Sequence, residues 1–254
     1  MDEKLIGELN KFTRREHMAE EVYIFPVTLC DNEVDRDNER FSRKALEEMA
    51  ERFVGVTGIF DHNPKGENQT ARIFMTEIVE EGRNNSLGEP YAYLKGYAYM
   101  VRTGSNEDLI REIDGGIKKE VSVSCSAESQ LCSVCGADRR TRPCHHIKGK
   151  IYDGKRCYFT LEDISDAYEW SFVAVPAQVH AGVTKGFEEK EDCSEKRAEL
   201  IAEINRMLML EKSGGCMIKI FSAIFPYVDD VVLEEFRDCL SERGQMESCD
   251  EYKM

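Results

Sequence analysis

The chain has 254 residues, enough for one ordinary domain and an appendage. Its 34 Lys and Arg face 49 Asp and Glu, a net charge of −15. So acidic a surface excludes broad nucleic-acid binding, which needs clustered basic charge, and fits work among other proteins. No apolar run approaches a membrane span. The start, Met1-Asp2-Glu3-Lys4-Leu5-Ile6-Gly7-Glu8, lacks the basic and then apolar layout of a signal peptide. The expectation is a cytoplasmic chain with neither membrane nor nucleic acid as partner. Ten cysteines in a reducing compartment then read as metal ligands and free thiols rather than disulfides.

Residues 1–21 form a charged arm, loosely helical and amphipathic. Residues 22–29 read as a strand in which Pro26 marks an edge or a bulge. A polar loop over 31–40 leads to Ser42, the cap of a helix whose apolar stripe is Leu46, Met49, Ala50 and Phe53. A short strand over 54–61 delivers His62 at its end, and Asn63-Pro64-Lys65-Gly66 must turn. Residues 71–79 and 91–101 are two further strands. In the second, Tyr91, Tyr93, Tyr97 and Tyr99 share a face and read as packing residues.

Ser105-Asn106-Glu107-Asp108 carries capping-box spacing in its Asp variant. Leu109, Ile110 and Ile113 give that helix its buried face, and Gly115-Gly116 end it. Over 119–126, Val121, Val123 and Cys125 alternate with Ser122, Ser124 and Ser126, as in a half-buried strand. On its own, such a serine is usually a solvated strand residue. Strands around 157–161 and 169–177 complete the body.

The expected fold is α+β: a β-rich domain over 22–185 with a closed or strongly curved sheet and few helices. A short zinc-loop insertion over 130–150 interrupts it. Residues 186–254 read as an acidic linker and a helical tail, with 17 acids and 9 bases from Phe187 onward. Within it, Ser194 opens a helix to 212, Gly214-Gly215 break it, and further helix follows around Pro226.

Cys132-Ser133-Val134-Cys135 is a C-x2-C knuckle, and Cys144-His145-His146 supplies a matching half-site. Tetrahedral zinc takes four Cys or His ligands from two such pairs. Residues two apart in an extended segment point the same way, so His146 is a better partner for Cys144 than His145. Four protein ligands leave no open position, which makes the ion structural: it substitutes for a core that a short polar loop cannot build. Cys125 and Cys157 flank the loop as fallback ligands. Cys30, Cys193, Cys216, Cys239 and Cys249 have no local partner and read as ordinary thiols.

Four pieces carry a family resemblance. They are the helix before His62, the strand end Phe60-Asp61-His62-Asn63, the run from Gly116 to Ser122-Val123, and Glu169-Trp170-Ser171-Phe172-Val173-Ala174-Val175-Pro176-Ala177. In that order, spanning about 22–185, the chain resembles the prohead (capsid maturation) serine proteases of tailed phages, and is distantly similar to herpesvirus assemblin. The last piece is similar to the family's Glu-x-Ser-x-Val-x-x-Pro-Ala. The resemblance implies Ser122 as nucleophile, His62 as base and Glu169 as the third member. It implies scaffold and major capsid proteins as substrates, with the chain acting on itself as well, inside the assembling prohead in the host cytoplasm. Self-association stays open.

Chemistry asks for the same residue types. A serine hydroxyl attacks poorly until an imidazole takes its proton, and the imidazole needs an acceptor that fixes its tautomer. Two departures stand out: the zinc loop is an insertion relative to the short family members, and a serine follows Ser122-Val123. The family has Gly after Ser-Val or Ser-Ile where this chain has Ser124, so a second hydroxyl shares the face. His180 is an alternative third member by analogy with assemblin's second histidine. The rival functions are a catalytically inactive zinc-containing assembly protein of the same fold and a zinc-binding regulator unrelated to capsids.

Overall fold

A computed structural model describes residues 3–184 and, beyond them, 200–204, 206–208, 228, 232–233 and 236–240. The chain divides into two compact units, Met1–Phe187 and Glu188–Met254. In chain order the first unit contains α1 (Glu3–Phe12), β1 (Val22–Asp31), β2 (Glu39–Phe41), α2 (Arg43–Arg52), β3 (Thr57–Phe60), β4 (Ala71–Asn84) and β5 (Pro90–Val101). Then come α3 (Glu107–Asp114), β6 (Val121–Cys132), β7 (Ile151–Tyr152), β8 (Lys155–Arg156), β9 (Phe159–Phe172) and β10 (Gly182–Val183).

Eight of the strands build one mixed sheet in the order β10-β1-β5-β4-β3-β9-β2, with β6 on β9 as well. Strands β2 and β3 run parallel to β9, whereas β6 runs antiparallel to it. The sheet curls but is not closed. A single bridge, Glu120↔Gly182, brings the start of β6 to β10 without pairing the two strands.

The first strand is buried along its whole length because it is covered on both sides. Its odd residues Phe25, Val27 and Leu29 join the main core with Leu46, Met49 and Phe53 at and beyond α2, Ile110 and Ile113 of α3, and Trp170. The even residues Val22 and Ile24 lie with Leu5 and Leu9 of α1, and with Phe74 and Tyr97. The expected N-terminal arm is therefore a helix packed on the sheet's other face, over Tyr97 and Tyr99 of the tyrosine stripe. Pro26 sits at the sheet margin, where its carbonyl accepts the Thr184 N–H at 3.1 Å, and a bulge follows between Thr28 and Cys30.

Ser42 caps α2, its Oγ accepting the Ala45 N–H at 3.1 Å. The expected capping box of α3 does not form. Asn106 is the N-cap residue and its Oδ1 accepts the Thr103 N–H at 2.9 Å, while Ser105 Oγ meets Thr103 Oγ1 at 3.0 Å. A local side-chain bond to the preceding backbone has displaced the cap. Tyr23 Oη donates to Asp114 Oδ1 at 2.5 Å and ties α3 to β1.

Two expected strands, around 157–161 and 169–177, are one. The ninth strand runs from Phe159 to Phe172 and pairs with β6 throughout. Two register shifts, between Ser124 and Cys125 and between Ser126 and Ala127, each put an extra residue on β9. This strand stops at Phe172 rather than Ala177 because both partners run out there: Phe172 is opposite Val121, the first residue of β6, and Phe60, the last of β3. Pro176, with no N–H to give, reinforces the stop.

In the second unit, 200–204, 206–208 and 236–240 are helical, and Ile204, Leu208 and Leu233 form a small buried cluster. The expected linker, Gly214-Gly215, Pro226, Cys193, Cys216 and Cys249 lie outside the described residues. No helix among the described residues is long and apolar enough to cross a membrane.

Candidate active site and metal centre

The end of β9 organises the first site. Directly opposite residues of an antiparallel pair point to the same face. The register sets Val121 against Phe172 and Val123 against Trp170, all four turned to the core. It sets Ser122 against Ser171 and Ser124 against Glu169 on the other face. On the far side of β9, β3 brings Phe60 level with Phe172, so His62 emerges beside Ser171 and Glu169. Close approach of β3 needs Gly58: a Cβ there would stand 2.4 Å from the Trp170 indole.

Asp61 and His62 both have φ of 51°, in the left-handed region that side chains other than glycine's disfavour. Three bonds hold this turn. The Asp61 N–H donates to Phe172 O at 3.1 Å, the His62 N–H to Ser171 Oγ at 3.1 Å, and the Asn63 N–H to Phe60 O at 3.0 Å. Strain of this kind persists only where surroundings over-determine it, and it clusters at functional sites.

The turn presents the His62 ring to Glu169. His62 Nδ1 lies 2.6 Å from Glu169 Oε1. The other carboxylate oxygen, Oε2, accepts from Ser171 Oγ at 2.6 Å. With the carboxylate as acceptor, Nδ1 carries the proton and Nε2 is free to act as a base. Glu169 is 10 % exposed at its side chain and His62 is 43 % exposed, so the pair joins a buried acceptor to a ring that solvent can reach. Sequence reasoning gave Ser171 no role. It is fully buried, accepts the His62 backbone N–H and donates to Glu169, so one hydroxyl positions both partners. Its spacing of two from Glu169 on one strand face was the available signal.

Ser122 and Ser124 lie one strand over from this pair. Opposite residues of neighbouring strands have Cβ atoms about 4.5–5.5 Å apart. No hydrogen bond joins Ser122 Oγ to His62, and catalytic hydrogen bonds without substrate are often long. A cavity of about 280 Å³ opens beside Ser122 and Ser124. His180 stands apart from Glu169, in a second cavity of about 760 Å³ by β1 and α3, with its ring 6.3 Å from that of Tyr91.

The second site lies at the other end of β6. Ligand atoms of Cys132, Cys135, Cys144 and His146 all lie within 4.8 Å of one another, and the group could hold a metal ion. Sulfurs on a tetrahedral zinc, 2.3 Å from the ion, stand roughly 3.8 Å apart. The residues fit a metal. His146 Nδ1 is buried and makes no hydrogen bond among the described residues, as a ligand nitrogen would be without its ion. The Cys132 thiol is buried, which opposes ionisation, yet the backbone N–H groups of Cys135 and Val134 and the neighbouring thiols hold it below its ordinary value. The His146 ring stands edge-on to Tyr152 of the β7–β8 hairpin, centroids 4.7 Å apart.

Of the fallback ligands, Cys157 packs under the cluster with Cys132, Phe159 and Cys144. Burial, then the neighbouring Cys132, pushes its thiol up to about 11. Burial, then Glu39, pushes Cys125 up to about 11 as well. Neither belongs to the four-residue group.

No protein-family model, curated protein or solved structure matches the chain.

Proposed function

We propose that the chain is a serine endopeptidase of the kind that matures tailed-phage heads. It would cleave scaffold and capsid precursor, and itself, within the assembling prohead. The observation that supports this best is the 2.6 Å hydrogen bond from His62 Nδ1 to a buried Glu169, beside a strand that turns Ser122 to the same face. Ser122 attacks the scissile carbonyl as His62 Nε2 takes its proton. The ring then gives that proton to the leaving amine, and water hydrolyses the acyl-enzyme by the same route. Glu169 keeps the ring in the right tautomer and balances its positive charge.

In this reading the Cys132, Cys135, Cys144 and His146 group holds structural zinc. Four protein ligands leave the ion no substrate position, so it orders the 130–150 loop and takes no part in the reaction. The second reading is a catalytically inactive zinc-containing assembly protein of the same fold. It draws on the missing hydrogen bond between Ser122 Oγ and His62. A fluorophosphonate probe separates the two, because it bonds only to an activated serine. Labelling of the wild type, absent in Ser122→Ala and in His62→Ala, supports the peptidase; an unlabelled wild type overturns it.

A further inference from the structure

The curled sheet leaves a seam. The Val121 N–H turns outward to Ala181 O at 3.4 Å, and the Glu120↔Gly182 bridge lies next to it. Alternation along a strand turns the peptide groups of Val123 to the same outer edge. Between that bridge and a second one, Leu131↔Asp138, no strand among the described residues pairs with that edge of β6. The 280 Å³ cavity lies along this unpaired stretch, with Ser122 and Ser124 in its wall.

Part of the wall is apolar, with Leu29, Phe41 and Leu161, and its charged part is of one sign. Asp35, Asp37 and Glu39 line it. Asp35 Oδ1 accepts the N–H groups of Asp37 and Glu39 at 2.9 and 2.8 Å, and Glu39 is met by Lys148 Nζ at 2.7 Å. Asp37 is exposed and has no side-chain bond among the described residues. Gln178 also lines the cavity and is 7 % exposed. Its Oε1 accepts the Asp31 N–H at 2.7 Å, while its Nε2 is buried without an acceptor among the described residues. A buried amide donor left unpaired keeps the full cost of its lost hydration. It is the kind of group that a bound carbonyl satisfies.

We infer that this seam takes an extended peptide along the β6 edge, and that the cavity beside Ser122 accepts a lysine or arginine next to the scissile bond. The Val123 peptide group pairs with the incoming main chain, as in strand addition. Gln178 Nε2 donates to a substrate carbonyl, and Asp37, Asp35 and Glu39 answer the cation. A metal ion in the cavity would leave the Gln178 donor facing a like charge, so a peptide that offers both an acceptor and a cation fits better. The inference rests on the peptidase reading for its substrate class but is tested by binding.

The test uses the full-length Ser122→Ala chain and a library of random unmodified peptides, captured and sequenced. The expected result is enrichment of lysine and arginine at one position. A selected peptide should bind at least tenfold more tightly than its norleucine counterpart. Asp37→Asn should cut that preference severalfold. Raising salt from about 0.1 M to 1 M, which shortens the Debye length from about 10 to 3 Å, should cut it without any substitution. Gln178→Leu should weaken lysine and norleucine peptides alike. No enrichment, or enrichment that ignores charge, overturns the inference. Fluorophosphonate labelling of the wild type without basic enrichment would sink the seam and spare the peptidase. Basic enrichment with an unlabelled wild type would do the reverse.

Discussion

Glu169→Gln probes the His62–Glu169 pair with almost no change of shape. The carboxylate accepts from His62 Nδ1 and from Ser171 Oγ, both at 2.6 Å. An amide can accept from one partner and must donate to the other. With its oxygen turned to His62 the tautomer survives, but the imidazolium that forms during reaction loses its counter-charge. A unit pair at about 4 Å is worth ~4 kcal/mol at an effective dielectric of 20. The His62 ring is 43 % exposed, so solvent screens the pair and about half that value is the better figure. About 2 kcal/mol on the barrier is roughly a thirtyfold loss of rate. The assay is the second-order rate of fluorophosphonate labelling, read by intact mass. Thermal unfolding checks that the fold is kept; the rearranged bond to Ser171 should cost about 1 kcal/mol. A labelling rate within about twofold of wild type, a difference under half a kcal/mol, would refute the role given to Glu169.

Ser122→Ala should abolish labelling and Ser124→Ala should slow it far less, since the proposed nucleophile is Ser122, opposite Ser171 in the ladder; the reverse pattern would move the nucleophile by one pleat. Elemental analysis should find one zinc per chain, lost in Cys144→Ser and on acidification, and kept in Cys239→Ser, whose thiol is exposed and outside the cluster. Gly58→Ala places a methyl 2.4 Å from the Trp170 indole and should destabilise the fold by about 1–3 kcal/mol, lowering the melting temperature by several degrees.

What could be read in the sequence was whatever depends on near neighbours. Ser42 caps its helix because the acceptor is three residues from its donor. Alternation over 121–126 assigned the two faces because a strand's period is fixed. The cysteine spacing picked out the four residues that come together, Cys132, Cys135, Cys144 and His146, because each half-site is compact. What escaped depends on partners distant in sequence. The polar run Glu162-Asp163-Ile164-Ser165-Asp166-Ala167 breaks alternation and reads as an interruption, yet β6 alongside turns it into a bulged strand. Ser171 looked like a passenger within its motif until His62, 109 residues away, donated to it. Gln178 gave no sign at all, since an unpaired amide is visible only once its neighbours are placed.

The β6–β9 ladder connects the two sites and also separates them. Cys132 opposes Phe159 at one end and Ser122 opposes Ser171 at the other. Ten residues of extended strand span roughly 33 Å, too far for the charge of an ion bound at the Cys132 end to be felt through a salt solution. The coupling left is mechanical. A slip of one residue would turn Ser122 into the core and Val121 out, so register must be held somewhere. Near Ser122 it is held by Val121, Val123, Trp170 and Phe172 packed on the core side. At the other end a small cluster of Cys132, Cys157 and Phe159 has little apolar surface of its own. A metal held by the Cys132, Cys135, Cys144 and His146 group would supply what packing does not. Chelation should therefore lower the melting temperature and loosen 130–150 while leaving the labelling rate of the folded chain unchanged. A labelling rate that falls in step with metal loss, well below the melting temperature, would mean that the register at Ser122 depends on the ion and not on its own core.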